Sequence, residues 1–341
     1  MKKIVLKLTI LTLIAMTVLC SCNFVENPTP SEHFHEFGDW TAILEPSCTT
    51  DGTQKRMCEC GEFESEVVPA TDHLFVEGVC TICNTLEPSP NDYFIFTERE
   101  DGTYSIKAKN TYTISGKIVI PETYNGKPVT EIPSAAFGNC QKITEVVIPD
   151  SITSIGTVAF INCDSLQKIN IPKGISEIPQ QCFIECENLE EVVMHDGIVK
   201  ICYGAFTNCY RMTEIDIPSG LKVIEDCAFE NCMELKSIYI PEGVESIGTN
   251  CFYRCLSLTV IKLPSTIKYI GDKAFFDCLW LNTIYLSAGI IRINTKAFDL
   301  CSDLSDIYFA GSEEEWNKII IDSGNDEILS ASIHYNYSYE Q

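Results

Sequence analysis

Cysteine and histidine side chains are concentrated in a short segment near the N-terminus, where they could bind a metal ion. Four of the cysteines form two close pairs, Cys58 with Cys60 and Cys80 with Cys83. A pair of thiolates presented by a tight turn is a common half of a tetrahedral zinc site. The segment is too short for much of a hydrophobic core, so one structural zinc ion held by these four cysteines would explain how it folds.

The same segment contains further potential ligands and permits a second interpretation. The additional side chains are His33, His35, Cys48 and His73. The first cysteine pair has one intervening residue, whereas zinc sites usually have at least two. Outside the cell the cysteines could instead pair as disulfides, and the sequence leaves both readings open. His33 and His35 could also be plain tether residues.

The first 22 residues predict export and lipid attachment. Lysines precede an apolar run at residues 8–19, which is too short to span a bilayer comfortably. Leu19-Cys20-Ser21-Cys22 then resembles a bacterial lipobox, which predicts that Cys22 is lipidated and becomes the N-terminal residue. A plain secretory signal that happens to contain a cysteine is the alternative.

Most of the remaining chain follows a repeat of 23 residues without insertion or deletion. One column consists of cysteines: Cys140, Cys163, Cys186, Cys209, Cys232, Cys255, Cys278 and Cys301. A second column, three residues earlier, consists of phenylalanines: Phe137, Phe160, Phe183, Phe206, Phe229, Phe252, Phe275 and Phe298. A third column, three residues after each cysteine, runs from Ile143 to Leu304 and is leucine, isoleucine or methionine throughout. Chance does not produce such a pattern.

The unit at residues 163–185 indicates one coil of a solenoid. Leu166, Ile169 and Ile171 alternate as in a strand with one buried face, and Pro172 ends that strand. The stretch before Phe183 predicts a tight return turn or a short second strand. Each large apolar side chain contributes about 2 kcal/mol, whereas ordering each backbone residue costs about 1–2 kcal/mol. A lone coil would therefore not fold, and stacking into a parallel sheet must supply the difference.

These columns resemble the BspA-like class of bacterial leucine-rich repeats. The resemblance also rests on Ile148-Pro149, Ile155-Gly156 and the run from Ala159 to Cys163. It implies a β-rich solenoid of right-handed stacked coils with a parallel sheet on the concave face, preceded by a small Cys/His-rich module. It also implies a surface adhesin or binding module.

The departures from the repeat are local and put individual turns in doubt. Three residues replace the strand-ending proline, namely His195, Ser287 and Ala310. Cys182 and Cys251 replace the alanine that usually precedes the phenylalanine.

The predicted organisation is a lipoprotein signal peptide at 1–22, a tether at 23–33, a zinc-ribbon-like module at 34–86, a linker at 87–91, an N-terminal cap at 92–136, repeats at 137–310 and a C-terminal cap at 311–341.

The cysteine column of the repeats predicts buried thiols and no chemistry. Equivalent residues of neighbouring coils lie about 4.8 Å apart, which is within the range of Cα separations that disulfides span. Their side chains point the same way, however, whereas a disulfide needs converging Cβ vectors. We expect thiols that cap backbone carbonyls at the turns, with disulfides as the alternative.

Composition and motifs argue against an enzyme and against a nucleic-acid partner. No G-x-S-x-G, H-E-x-x-H, Walker or G-x-G-x-x-G motif is present, and the carboxylates are scattered over repeat surface positions. The net charge of −24 disfavours nucleic acid and anionic membrane surfaces, which attract Lys and Arg. We expect a monomer that contacts the membrane through its lipid anchor only.

The outward-facing residues of the strands form the predicted ligand-binding surface. In each strand two residues flank the central apolar residue and point away from the core, so that stacking aligns them in a stripe. Charged residues dominate this stripe in the early coils, and the later coils contribute Tyr239, Lys262, Tyr285 and Tyr308. Aligned tyrosines offer rigid, amphipathic area that protein and glycan contacts favour. Tyrosine also simply suits a strand.

These features predict a lipoprotein on the extracellular face of the bacterial envelope that binds a host or matrix protein or glycan. The alternative is a structural or metal-buffering envelope protein, in which the Cys/His segment is the active part and the repeats are a spacer. Metal affinity separates the two, because buffering requires exchangeable zinc and a structural role requires one tightly held ion.

Overall fold

A computed structural model describes residues 35–48 and 50–338. The predicted signal peptide, Cys22, the tether and His33 lie outside these ranges. The described chain forms two compact units, the residues up to 74 with 81–83, and residues 75–80 with those from 84 onward. Within the described ranges, no helix combines the length and the apolar character needed to cross a membrane.

The first unit is a small antiparallel sheet with little core. Its strands are β1 (Thr41–Leu44), β2 (Gly52–Met57) and β3 (Phe63–Val68), with β2 in the centre. A Cβ at Gly52 would lie 2.5 Å from the backbone of Leu44, so only glycine fits there. Apolar side chains such as Phe63 remain 62% exposed, which leaves the unit with little apolar burial.

The second unit starts with short strands that lead into the solenoid. They are β4 (Phe75–Val76), β5 (Val79–Cys80), β6 (Phe94–Glu98), β7 (Tyr104–Ala108), β8 (Gly116–Val119), β9 (Thr123–Tyr124) and β10 (Lys127–Ile132). A 3₁₀ turn, Asn91–Tyr93, precedes β6. β6 pairs with β7 and β9 pairs with β10 in antiparallel fashion, whereas β10 lies parallel to β7.

The repeats form two ladders of short parallel strands, which confirms the predicted solenoid. The main ladder continues β8 with β11 (Ile143–Val147), β13 (Lys168–Asn170) and β15 (Glu191–Val193), and resumes with β19 (Val260–Lys262), β21 (Thr283–Leu286), β23 (Asp306–Phe309) and β25 (Ser332–His334). Between repeats, partners such as Ile169 and Val192 are 23 residues apart, so each rung repeats the one before.

The second ladder runs along the opposite stretch of each coil. It continues β10 with β12 (Ser154–Ile155), then consists of β14 (Glu177–Ile178), β16 (Lys200–Ile201) and β17 (Val223–Ile224), and resumes with β18 (Ser246–Ile247), β20 (Tyr269–Ile270), β22 (Arg292–Ile293) and β24 (Ile320–Ile321). Both ladders are therefore interrupted, whereas a continuous sheet was expected. One interruption, between β12 and β14, coincides with Pro179, which has no N–H to donate where Gly156 and Cys202 donate to the neighbouring coil.

The turn that carries phenylalanine and cysteine is the continuous core of the solenoid. The eight phenylalanine side chains are fully buried, and consecutive rings stack with centroids 5.1 to 5.7 Å apart. The N–H of each phenylalanine donates to the carbonyl 22 residues onward, as from Phe137 to Ala159 at 2.8 Å. At the last turn, Phe298 N–H donates instead to the Asn325 side chain at 3.0 Å, which stands in for a further coil.

Two short helices belong to the C-terminal end. They are α1 (Glu313–Trp316) and α2 (Asp326–Ser330). Ser312 and Glu315 form a reciprocal capping box at the start of α1. Trp316 packs edge to face on Phe309 with centroids 5.3 Å apart, and so covers the last coil of the core.

Candidate binding surface and metal-ligand groups

The main ladder aligns the four predicted binding residues on consecutive rungs. Tyr239 bridges to Lys262, Lys262 pairs with Tyr285, and Tyr285 pairs with Tyr308. We call these four residues, together with His334 and Tyr337, the aromatic column. Period-2 alternation explains the common direction of the four predicted residues, because each of them flanks a buried isoleucine.

The C-terminal end adds two aromatic side chains that the sequence did not predict. His334 pairs with Tyr308 in the ladder, and its ring stacks on Tyr308 with centroids 4.6 Å apart. Tyr337 packs against Tyr285 and Tyr308 at 5.2 and 5.3 Å. Tyr308 and His334 are 26 residues apart, so the repeat period gives no signal for this contact.

The members of the aromatic column differ in exposure. Tyr239 is 64% exposed, whereas Tyr285 and Tyr308 are half-buried because they stack on each other at 4.9 Å and pack against Tyr337. Burial raises the pKa of Tyr285, and the phenols of Tyr337 and Tyr308 add to this. The aromatic column is therefore a set of packed rings from which Tyr239 projects, and not a row of equally exposed tyrosines.

A hydrogen bond between two side chains fixes the end of the aromatic column. His334 Nε2 lies 2.7 Å from an oxygen of Asp306, on the neighbouring strand. Hydrogen bonds from His334 and then Ser305 hold the pKa of Asp306 below its usual range. Asp306 is thus a carboxylate at neutral pH and orients the imidazole against Tyr308.

The early coils use the equivalent surface differently. Lys168 pairs with Glu191 on the next rung at 2.8 Å, and Lys117 pairs with Glu145 at 3.1 Å. The Asn170 side chain both accepts from and donates to the backbone of Ile148, at 2.7 Å each. These polar groups are engaged within the protein, whereas the later coils present the packed rings of the aromatic column.

The Cys/His segment contains two groups of potential metal ligands. One consists of His35, Cys58 and Cys60, and the other of Cys48, His73, Cys80 and Cys83. Within each group the ligand atoms all lie within 4.8 Å of one another. This differs from the single four-cysteine site expected from the sequence, because the two cysteine pairs stand on different turns and each is completed by other side chains.

The two groups differ in their completeness. In the larger group, His73 Nδ1 lies 3.3 Å from Cys83 Sγ, and both Cys48 and Cys80 are buried. Three cysteines and one histidine are a full tetrahedral set for structural zinc. In the smaller group, hydrogen bonds from the Cys60 backbone, the Cys60 side chain and His35 lower the pKa of Cys58 to about 6, so that a thiolate is available at neutral pH.

The cysteines of the repeats are buried thiols that donate to backbone carbonyls, as predicted. From Cys163 onward each Sγ points to the carbonyl oxygen of the phenylalanine 26 residues earlier, at 3.0 to 3.4 Å. Burial raises the pKa of Cys232 well above its usual range, and the same cause acts on Cys209 and Cys255. Such thiols are poor nucleophiles and poor metal ligands.

An open groove marks the interruption of the second ladder at Pro179. Its volume is about 510 Å³, and its lining includes the hydroxyl groups of Thr153, Ser154 and Ser176 and the carboxylate of Glu177. Cys202 closes one end, with Sγ 3.6 Å from the Glu177 carboxylate. Burial raises the pKa of Cys202 to about 11, so this thiol is protonated at neutral pH.

Several solved structures resemble this chain at low sequence identity. A leucine-rich repeat protein from Bacteroides ovatus is 22% identical, with 73% of this chain and 79% of that chain covered and a TM-score of 0.42. The leucine-rich repeat protein of T. pallidum is 22% identical, covering 69% and 86%, with a TM-score of 0.34. A leucine-rich cell surface protein from Faecalibacterium prausnitzii is 21% identical, covering 69% and 98%, with a TM-score of 0.30.

The sequence comparison assigns the family. No curated protein gave a significant match. The profile of the BspA type leucine-rich repeat region matches in six copies at residues 110–236 and 222–320, which together exceed half of the chain. With its 23-residue coils, stacked phenylalanines and parallel ladders, the protein belongs to the BspA-type leucine-rich repeat family.

Proposed function

We propose that this protein is a cell-surface lipoprotein that binds a protein or glycan on its aromatic column. The single observation that carries the proposal is the alignment of Tyr239, Lys262, Tyr285, Tyr308 and His334 on consecutive rungs of one ladder. Aromatic faces stack on sugar rings and on apolar protein side chains, while the polar groups at their edges form directional hydrogen bonds. The predicted export signal and Cys22 support a location at the cell surface.

The packing within the column supports a preorganised surface. Stacking holds Tyr285 and Tyr308 in one orientation, so little side-chain entropy is lost when a ligand binds. Tyr239 projects from the same ladder without a ring partner among the described aromatic contacts, and Lys262 lies between them. This arrangement suits a ligand with alternating apolar and acidic or hydroxyl groups, such as a glycan chain.

The test uses Tyr239→Ser, because Tyr285 and Tyr308 also pack the C-terminal end and their loss would lower stability. We expect Tyr239→Ser to weaken binding to purified mucin or to glycans on a printed array by about tenfold, as loss of an interface aromatic does, with an unchanged melting temperature. Surface plasmon resonance and thermal unfolding measure the two effects. Tyr112→Ser is the matched control, since Tyr112 is 80% exposed and lies off the ladder.

Two results would contradict the proposed binding site or its ligand class. Equal binding by wild type and Tyr239→Ser, with the wild type clearly bound, would remove the aromatic column as the site. Absence of binding by the wild type to every glycan and to mucin would reject glycans as the ligand class.

A second function, metal binding by the Cys/His segment, is favoured by the larger ligand group. Cys48, His73, Cys80 and Cys83 supply three sulfur atoms and one nitrogen, which is a set that zinc prefers. Zinc would contribute folding free energy to a segment whose apolar side chains are largely exposed. Zinc content of the purified chain, measured by native mass spectrometry, is the observation that tests this role.

A further inference from the structure

The smaller ligand group is carried by two chain segments that hydrogen bonds join to each other. Cys58 N–H donates to the Glu62 carbonyl at 2.8 Å, and Gly61 N–H donates to the Cys58 carbonyl at 2.9 Å. Gly61 has a φ of +92°, which glycine tolerates and other residues do not. The turn thus holds Cys58 and Cys60 on one side of a rigid loop.

His35 is carried by a second segment that is fastened to the same turn. Phe37 bridges to Cys58, and Gly38 N–H donates to the Met57 carbonyl at 3.0 Å. The Arg56 guanidinium lies over the rings of Phe37 and Trp40, at 5.2 and 4.8 Å. These contacts place His35 Nδ1 at 3.2 Å from Cys60 Sγ.

The chemistry of this group suits a thiophilic divalent cation. Two sulfur atoms and one imidazole nitrogen match the ligand preference of Zn²⁺, and all three lie within 4.8 Å of one another. Their spacing leaves room for an ion at their centre, because zinc bonds sulfur at about 2.3 Å and nitrogen at about 2.0–2.1 Å. The side chains of His35 and Cys60 are exposed, so an ion can enter from solvent.

We propose that His35, Cys58 and Cys60 form a second zinc site, with three protein ligands and one coordination position open to solvent. Zinc is four-coordinate in closed structural sites, whereas sites with three protein ligands keep a position for water or an external ligand. Within the described ranges this group contains three such ligands and the larger group contains four. The described part of the chain therefore offers one exchangeable and one structural site.

The proposal rests on the metal-binding role proposed for the segment, but its site is separate. An ion with an open position exchanges by association of an incoming ligand, which a closed set of four protein ligands hinders. Exchangeable zinc at an exposed position is what a metal-buffering surface protein requires.

The experiment measures zinc stoichiometry and exchange in the purified, reduced full chain. Native mass spectrometry of the zinc-loaded protein should give two ions per chain. A chromophoric chelator should remove one of them at least about tenfold faster than the other, since one site is open and the other closed. Cys60→Ser and His35→Ala should each abolish the fast ion and keep the slow one.

Matched variants separate the two sites from each other and from folding defects. Cys83→Ser should abolish the slow ion, and Cys202→Ser, which changes a buried thiol of the repeats, should leave both. Cys60→His should retain the fast ion, and with Co²⁺ in place of zinc it should show weaker sulfur-to-metal charge-transfer absorption at that site.

The contrary results are distinct. A single ion that is lost in Cys83→Ser and unaffected by Cys60→Ser and His35→Ala would overturn the second site while preserving the structural one. A disulfide between Cys58 and Cys60 in anaerobically purified protein would also overturn it. A single ion that is lost in Cys60→Ser and His35→Ala and is unaffected by Cys83→Ser would instead refute the structural zinc.

Discussion

The cysteines of the repeat column combine apolar side-chain volume with one hydrogen-bond donor. From Cys163 onward, each cysteine of the column is buried, and its S–H donates to a phenylalanine carbonyl of the preceding coil. Valine would fill the slot without donating, and serine would donate with less volume. Cysteine meets both requirements, which accounts for eight cysteines in one column.

The Cys209→Ala and Cys209→Ser variants separate the two contributions. Both remove the sulfur volume, but only serine retains a donor for the Phe183 carbonyl, which lies 3.3 Å from Sγ. We expect the free energy of unfolding of the serine variant to exceed that of the alanine variant by about 1 kcal/mol. Urea denaturation measures the difference, and an alanine variant of equal or greater stability would show that the hydrogen bond contributes nothing.

The departures from the strand-ending proline also have a residue-level explanation. His195 accepts from the Gly197 N–H at Nδ1, and its Nε2 lies 3.1 Å from the Pro172 carbonyl. Ser287 does the same with a hydroxyl, accepting from Gly289 N–H and donating to the Ser265 carbonyl. Both side chains close the turn by hydrogen bonds where proline closes it by its ring, so these turns are preserved.

The turn that carries phenylalanine and cysteine requires left-handed backbone at two positions of every coil. One of these positions is held by asparagine, glycine and lysine among others, and in one coil by Val158 with a φ of 52°. A β-branched side chain is strained in this region, because its Cβ substituents crowd the backbone. Stacking of the neighbouring coils imposes the conformation in spite of that cost.

Replacing Val158 by asparagine should therefore stabilise the protein. Asn250 occupies the equivalent position with a φ of 54°, so the side chain fits the turn. We expect Val158→Asn to raise the free energy of unfolding by about 1 kcal/mol, measured by chemical denaturation. The reciprocal change, Asn250→Val, should lower it by a similar amount, and an opposite pair of signs would contradict strain at this position.

Along the whole solenoid, the stack of turns that carry phenylalanine and cysteine is continuous, whereas the main ladder is interrupted. No strand is formed at residues 209–218, although this part of the chain is described and Ile215 is buried. In the 23-residue register Glu214 stands next to Glu191, and like charges on adjacent rungs are destabilising. Elsewhere, Lys168 beside Glu191 supports pairing.

Hydrogen exchange should reveal this interruption. We expect amides of residues 213–217 to exchange at least about tenfold faster than those of residues 282–286, which lie in paired strands, because unpaired backbone opens at lower cost. Mass spectrometry of peptides from the two segments compares them in one sample. Glu214→Lys, which places a cation beside Glu191, should slow exchange at 213–217; unchanged exchange would reject charge repulsion as the cause.

The repeat made the local structure of each coil predictable from sequence. Because every coil follows the same 23-residue pattern, Leu166, Ile169 and Pro172 represent the equivalent residues of the other coils, and the inward direction of the phenylalanine and cysteine columns follows from that pattern. The alignment of Tyr285 with Tyr308 followed for the same reason. The repeat pattern is a local property of the sequence, and stacking places the same local structure in each successive coil.

Contacts between residues that are not related by the 23-residue period depend on the tertiary structure alone. The packing of His334 and Tyr337 against Tyr308 depends on how the chain returns after α2, and no spacing encodes it. The division of the cysteines into a group with His35 and a group with His73 depends on which turns meet in space. Such pairings are set by long-range packing, because one sequence pattern of cysteines and histidines is compatible with many arrangements of its turns.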